Sequence, residues 1–266
     1  MDDDALISSS PQDSKDGERH VLRTLRQRLS DALIRISQLD QPQSGIVTAT
    51  AQSGGLEHTR PLSLPRDALA GTALSQAISL MSTRVPFWDA SYVRAAAQAL
   101  QTLGTRPANG GCFTVDVPTM VAASHAIEER VIKEHLDCEL YAGFQRLSLL
   151  RPQLRRYVSV LDNARYVYVF GIDDIPPGMP VFRHQRLIRF IITPQSGAGL
   201  LWFWFLLVNH PNFSTVLLTR QVSGELFQRQ SRARAYQGFW SFDPAVVHEI
   251  MRVLREAGRI LYYEPH

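Results

Sequence analysis

Cysteine and lysine are nearly missing from this sequence. Its 266 residues hold two cysteines, Cys112 and Cys138, and two lysines, Lys15 and Lys133. The cysteines form no CxxC pair, and the acidic start Asp2, Asp3, Asp4 leads into no apolar leader segment. A disulfide scaffold and secretion are therefore not indicated, and reduced thiols in a cytoplasm are expected. Long apolar runs are also lacking. The longest, LLWFWFLLV at 200–208, has nine residues, against the roughly 20 that a helix needs to cross a bilayer. It reads as a buried strand, with no membrane span. The motifs that announce common chemistry are missing too: GxxxxGK[ST], GxGxxG after a strand, HExxH, GxSxG and paired CxxC. No catalytic or metal residue is assigned, and any cofactor is unknown. A formal charge of +3 is a poor argument for nucleic acid, so that partner class is not expected.

What is present is a chain with 45% hydrophobic residues, enough to build a core. Residues 1–18 are Ser- and Asp-rich without periodicity, the composition of a frayed tail. From 19 to 39 the pattern is helical: Leu22, Leu25, Leu29, Ala32, Ile36 and Leu39 alternate at spacings of three and four, with arginines off the seam. Two uses compete for this helix. It is a homodimer seam through Leu22, Leu25, Leu29, Ile36 and Leu39, or it docks on the chain's own core. Residues 41–66 are rich in Pro and Gly and read as a connector with a short strand at 46–51. Helices are expected at 67–81 and 90–103, the second stopped by Gly104. The Pro- and Gly-containing stretch 105–111 (TRPANGG) is the best domain boundary, dividing a helical N-terminal region, 19–111, from a second domain, 112–266.

Beyond the boundary Thr119 caps a helix running to about 135, and 147–161 reads as a helix with Pro152 in its first turn. Strands are expected at 139–144, 166–170, 187–193, 200–208 and 215–222, where β-branched and aromatic runs are bounded by Gly, Pro or Asn. A last helix opens with Asp243 and Pro244 and stops at Gly258. The fold class implied is α+β: a helical N-terminal region, then a mostly antiparallel sheet of four or five strands packed with helices.

Three clusters hold chemistry. His125 and Glu128 lie one turn apart on the helix after Thr119 and share a face with Ser124, the arrangement of a ligand site or of a general acid and base. Structural hydrogen bonding is the plainer alternative. Phe144, Gln145 and Arg146 leave a strand and enter a helix carrying Arg151, Arg155 and Arg156, either a solvated face or an anion-binding stripe. Arg234 leads into Tyr236, Phe239 and Trp240, either core or the wall of a pocket for a planar or anionic ligand.

The same stretches carry a family resemblance. SHAIEE at 124–129, YAGFQR at 141–146 and YQGFWSFDP at 236–244 resemble the signature segments of the DICT domain, over about residues 117–258, and YVYVFG at 166–171 fits the same pattern. The resemblance implies an α+β sensory module of bacterial signal transduction, a family found with diguanylate cyclases and two-component systems and connected with light responses. It brings no ligand or catalytic set. Residues 1–111 show no cyclase, kinase or receiver motif, so a stand-alone sensor is expected, working through a histidine kinase or a cyclic-dinucleotide enzyme. The ligand-binding residues expected are His125, Glu128, Phe144, Gln145, Arg146, Arg234, Phe239 and Trp240. The rivals are an assembly protein that docks without a ligand, and an enzyme using His125 and Glu128; the chain is read as not an enzyme.

Overall fold

Strands that are apolar on successive residues, such as LLWFWFLLV at 200–208, ask for two buried faces, and both are found covered. The computed structural model describes residues 66–107, 110–175, 183–193, 197–223 and 234–262, with Gln27. The frayed tail, the helix at 19–39 with its dimer seam and the strand at 46–51 lie outside the described residues, Gln27 aside.

Among the described residues there are five α-helices: α1 (Arg66–Ser82), α2 (Ala90–Leu103), α3 (Val117–Lys133), α4 (Leu154–Asn163) and α5 (Pro244–Tyr262). Seven strands form one sheet: β1 (Gly111–Asp116), β2 (Glu139–Arg146), β3 (Tyr166–Ile172), β4 (Leu187–Ile191), β5 (Phe203–Asn209), β6 (Thr215–Gln221) and β7 (Ala235–Ser241), in the order β1-β7-β6-β5-β2-β3-β4. The α+β class holds, but the four- or five-stranded antiparallel sheet does not. The sheet is mixed, with β2–β3 and β3–β4 parallel and the other neighbours antiparallel. The strand count falls short by β1 and β7. The first follows directly on the Pro- and Gly-containing stretch taken as a boundary, and the second is the segment taken as an aromatic cluster. The parallel β2–β3 pair follows from the helical crossover of 147–163, since parallel neighbours need a connection of a dozen or more residues.

The two faces carry separate cores. Tyr141, Phe170, Phe205, Leu218 and Phe239 pack under α1 and α5. Leu140, Val169, Leu206, Leu217 and Trp240 pack under α2, α3 and α4. Neighbouring residues of a strand point to opposite faces, which is why β5 sends Phe205 and Leu207 one way and Leu206 and Val208 the other.

The boundary expected near residue 112 falls inside this packed body. Val93, Ala97 and Leu100 of α2 share a core with α3, and Leu74, Ile78 and Met81 of α1 share the other with α5. The segment between α1 and α2 also covers the edge of β1: Cys112 N–H donates to Pro86 O at 2.9 Å and Trp88 N–H to Cys112 O at 2.7 Å. An unpaired strand edge is thereby partly closed.

Caps set the helix ends. Gly104 adopts φ +67° after α2, as expected of a left-handed stop. Asp116, not Thr119, caps α3: its carboxylate accepts the Thr119 N–H at 3.0 Å. Residues 147–153 wind as a 3-10 helix holding Pro152 before α4 begins. Asp243 accepts the Ala245 N–H at 2.8 Å, and α5 runs on through Gly258. The stretch 200–208 begins in a 3-10 turn, Ala198–Trp202, and becomes strand at Phe203. No helix among the described residues is long and apolar enough to cross a membrane.

Candidate functional site

The pairing of β2 with β5 ends at Ala142 and Leu206, although β2 continues beside β3 to Arg146 through an irregularity after Gly143. The two strands part there. A cavity of about 800 Å³ occupies the opening, on the face covered by α3 and α4. It falls in the size range of small-molecule sites.

One wall is a face of α3. Val117, Val121, Ser124, His125 and Glu128 follow at helical spacing and all line the cavity. Across from them stand Ala142, Phe144 and Gln145 of β2, Trp204 and Leu206 of β5, and Arg234 and Tyr236 at the start of β7. Ser148, Leu149 and Gln153 of the 3-10 turn, with Tyr157 of α4, close one side. That turn is held by Asp174, whose carboxylate accepts the Ser148 N–H at 2.8 Å and its hydroxyl at 2.7 Å. These bonds satisfy a donor that a helical N-terminus would leave open.

Of the eight residues named from the sequence, six line this cavity: His125, Glu128, Phe144, Gln145, Arg146 and Arg234. Phe239 and Trp240 do not. They are adjacent on β7 and so point to opposite faces, Phe239 into the core under α1 and α5 and Trp240 into the core under α2 and α3. Both are fully buried, and the Trp240 indole N–H donates to Thr215 Oγ1 at 2.9 Å. They are packing residues. Trp204, Tyr236, Tyr157 and Asp174 join the site without having been among the eight. Tyr236 precedes Trp240 by four residues on the same face, a placement the strand period allows one to find. Trp204 is masked in its apolar run, where both faces of the strand look alike.

The polar contacts are directional. The Arg234 guanidinium donates to Gln145 Oε1 at 2.9 Å, and the Gln145 amide donates to Gln221 Oε1 at 2.9 Å. The Trp204 indole donates to Ser124 Oγ at 3.2 Å, with Tyr236 packed edge-on to it at 5.6 Å. His125 Nε2 and Gln153 Oε1 lie 3.0 Å apart. Burial, then the charge of Arg156, holds the His125 imidazole below its usual range.

Glu128 is the least ordinary group here. Its side chain is 6% exposed, and burial pushes its carboxyl up to about 7 against the opposing charge of Arg156 and a hydrogen bond with Tyr157. Arg156 Nε stands 3.6 Å from Glu128 Oε2, outside hydrogen-bond reach, while its Nη1 bonds Glu129 at 3.1 Å. Glu128 Oε2 is buried with no hydrogen-bond partner. An acid whose pKa is raised and an imidazole whose pKa is lowered, one turn apart, are held by different partners, Glu128 by Arg156 with Tyr157 and His125 by Gln153. Among the described residues no three His, Cys, Asp or Glu side chains converge as a metal-binding group.

A family comparison bears on this geometry. Residues 96–221 match the DICT family. The family is described as a sensory domain in diguanylate cyclases and two-component systems. No curated protein and no solved structure matches the chain. The DICT segment starts inside α2, earlier than the residue 117 expected, and ends with β6 at Gln221. It spans just under half of the chain. It contains SHAIEE and YAGFQR, hence the α3 wall and the β2 wall of the cavity, while YQGFWSFDP on β7 lies beyond it. The DICT description is of a sensory domain, found in signal-transduction proteins.

Proposed function

We propose that the chain is a small-molecule sensor of signal transduction, which binds its ligand in the cavity between α3 and the parted strands β2 and β5 and reports occupancy through protein contacts. The observation that carries this reading is the cavity itself, about 800 Å³ with mixed aromatic and polar walls, built by the two segments that tie the chain to a sensory family. A ligand acts as a signal when it binds two states unequally. The α3 helix is suited to transmit the difference. One face touches the cavity while the same helix packs on α2, with Arg94 Nε donating to Thr119 Oγ1 at 2.8 Å and Lys133 Nζ to Gln101 O at 3.3 Å. The receiver is a two-component protein or a diguanylate cyclase, the proteins that this family accompanies.

The test is native mass spectrometry, with an absorption spectrum, of protein purified gently from its own type of host. The expected outcome is a bound organic molecule in stoichiometric amount, lost from a folded Trp204→Ala variant. Protein that arrives empty and stays empty after exposure to a small-molecule extract of the host overturns the reading.

A further inference from the structure

The polar groups around the cavity are not equally occupied. Both arginines facing it already have acceptors: Arg234 donates to Gln145 Oε1 at 2.9 Å, and Arg146 Nη1 stands 3.6 Å from Asp174 Oδ2. Gln145 passes its own donor on to Gln221, which donates to Ser223 O at 3.1 Å. The Trp204 indole N–H is spent on Ser124. Glu128 Oε2 is different: it is buried on the cavity wall and accepts no hydrogen bond, the Arg156 Nε standing 3.6 Å away as an ion-pair contact only. A buried acceptor left in this state is costly, and a ligand donor that meets it recovers that cost. An anion would do the reverse. It would compete with Gln145 for the Arg234 Nη1 donor and with Asp174 for Arg146, and it would come close to the carboxylates of Glu128 and Asp174.

The apolar part of the wall favours a flat ring. Trp204 and Tyr236 meet edge-on at 5.6 Å, and Phe144 and Tyr157 edge-on at 5.8 Å, so two aromatic pairs flank the space beside Glu128. We infer that the cavity takes a neutral aromatic heterocycle that places an N–H donor on Glu128 Oε2, and that it discriminates against anionic ligands. The inference rests on the reading of the cavity as a ligand site. It reverses the emphasis that Arg146 and Arg234 suggest when seen in the sequence alone.

The experiment uses the full chain and matched fragments: indole, benzimidazole and quinolin-2-one, each beside its N-methyl form and a carboxylated form. Binding is read by saturation-transfer NMR and titration calorimetry. The N–H members are expected to bind about tenfold more tightly than their N-methyl partners, the size of one lost hydrogen bond to a buried acceptor. A Glu128→Leu variant should bring each N–H member down to the affinity of its N-methyl partner and leave the N-methyl partner unchanged. The methylation comparison is made on the wild type and does not depend on the variant folding. Tightest binding by the carboxylates, or no effect of methylation, overturns the ligand class while fragment binding lost in Trp204→Ala keeps the cavity as a ligand site. If no member of any set binds the wild type, the ligand class falls, and native mass spectrometry after exposure to the host extract decides the cavity reading separately.

Discussion

Glu128 shows how one side chain couples the cavity to stability. Its carboxyl is lifted from about 4.5 to about 7 by burial, so the folded protein binds a proton there that the unfolded chain has lost between those values. The contribution is therefore full below about pH 4.5 and is lost as pH rises through about 7. With about 1.4 kcal/mol per pH unit, ionising Glu128 in the fold costs about 3 kcal/mol. The groups that face it are Arg156 and Tyr157 of α4, with His125 one turn away on α3, and His125 works in the opposite sense because its pKa is lowered. Replacement by Gln isolates the Glu128 part. Denaturant titrations of wild type and Glu128→Gln from about pH 5 to about pH 8 are expected to diverge, the variant gaining on the wild type as pH rises; parallel curves would remove the buried acid from the account. Trp240 makes the contrasting residue. Fully buried and bonded to Thr215, it is expected to cost about 3–5 kcal/mol when cut to Ala, read as a lower denaturant midpoint. Trp204→Ala, on a half-buried ring at the cavity wall, is expected to cost less stability and more ligand.

Among the elements, β2 does the most to create the site, because it keeps β3 as a neighbour while leaving β5 after Ala142. Gly143 stands at the parting, and a Cβ there would run into the Phe205 ring. Gly143→Val is expected to lose about 1–3 kcal/mol through overpacking, seen in thermal or denaturant melts, and to weaken fragment binding at the same time. Helical parts of this architecture were readable because local rules decide them. The α2 helix ends where Gly104 can turn left-handed, and the α3 face reads out Ser124, His125 and Glu128 by spacing alone. Sheet parts were less readable. The β1 strand begins on the second of two glycines, Gly110 and Gly111, that look like a linker, and whether β2 pairs in parallel or antiparallel depends on a partner far along the chain. The cavity is a failure of pairing between two strands, which no local pattern records. Its α3 wall, the Phe144–Arg146 end of β2 and Arg234 were legible. Trp204 was not, since its run is apolar on both faces of the strand.

At the level of the whole molecule, the family match and the packed body have different limits. The DICT match begins within α2 and ends with β6, whereas the two cores draw on α1 before it and on β7 and α5 after it. A sheet with two apolar faces needs cover on both. If the polypeptide were begun at residue 112, it would lose α1 and α2, leaving Phe205, Leu218 and Phe239 less covered on one face and Met120, Ile127 and Val131 on the other. It would also uncover the β1 edge now bonded by Pro86 and Trp88. Burying a Leu, Ile or Met side chain is worth about 1.5–3 kcal/mol, and a domain holds about 5–15 kcal/mol in total. The loss of Leu74, Ile78, Met81, Val93 and Leu100 together is of the order of that whole margin. A fragment of residues 112–266 is therefore expected to aggregate or to melt without a cooperative transition, unlike the full chain. Circular dichroism melts with light scattering on the two proteins distinguish the outcomes. Cooperative melting of 112–266 would show that α1 and α2 decorate a sheet able to fold without them, and would support the domain boundary expected near residue 112.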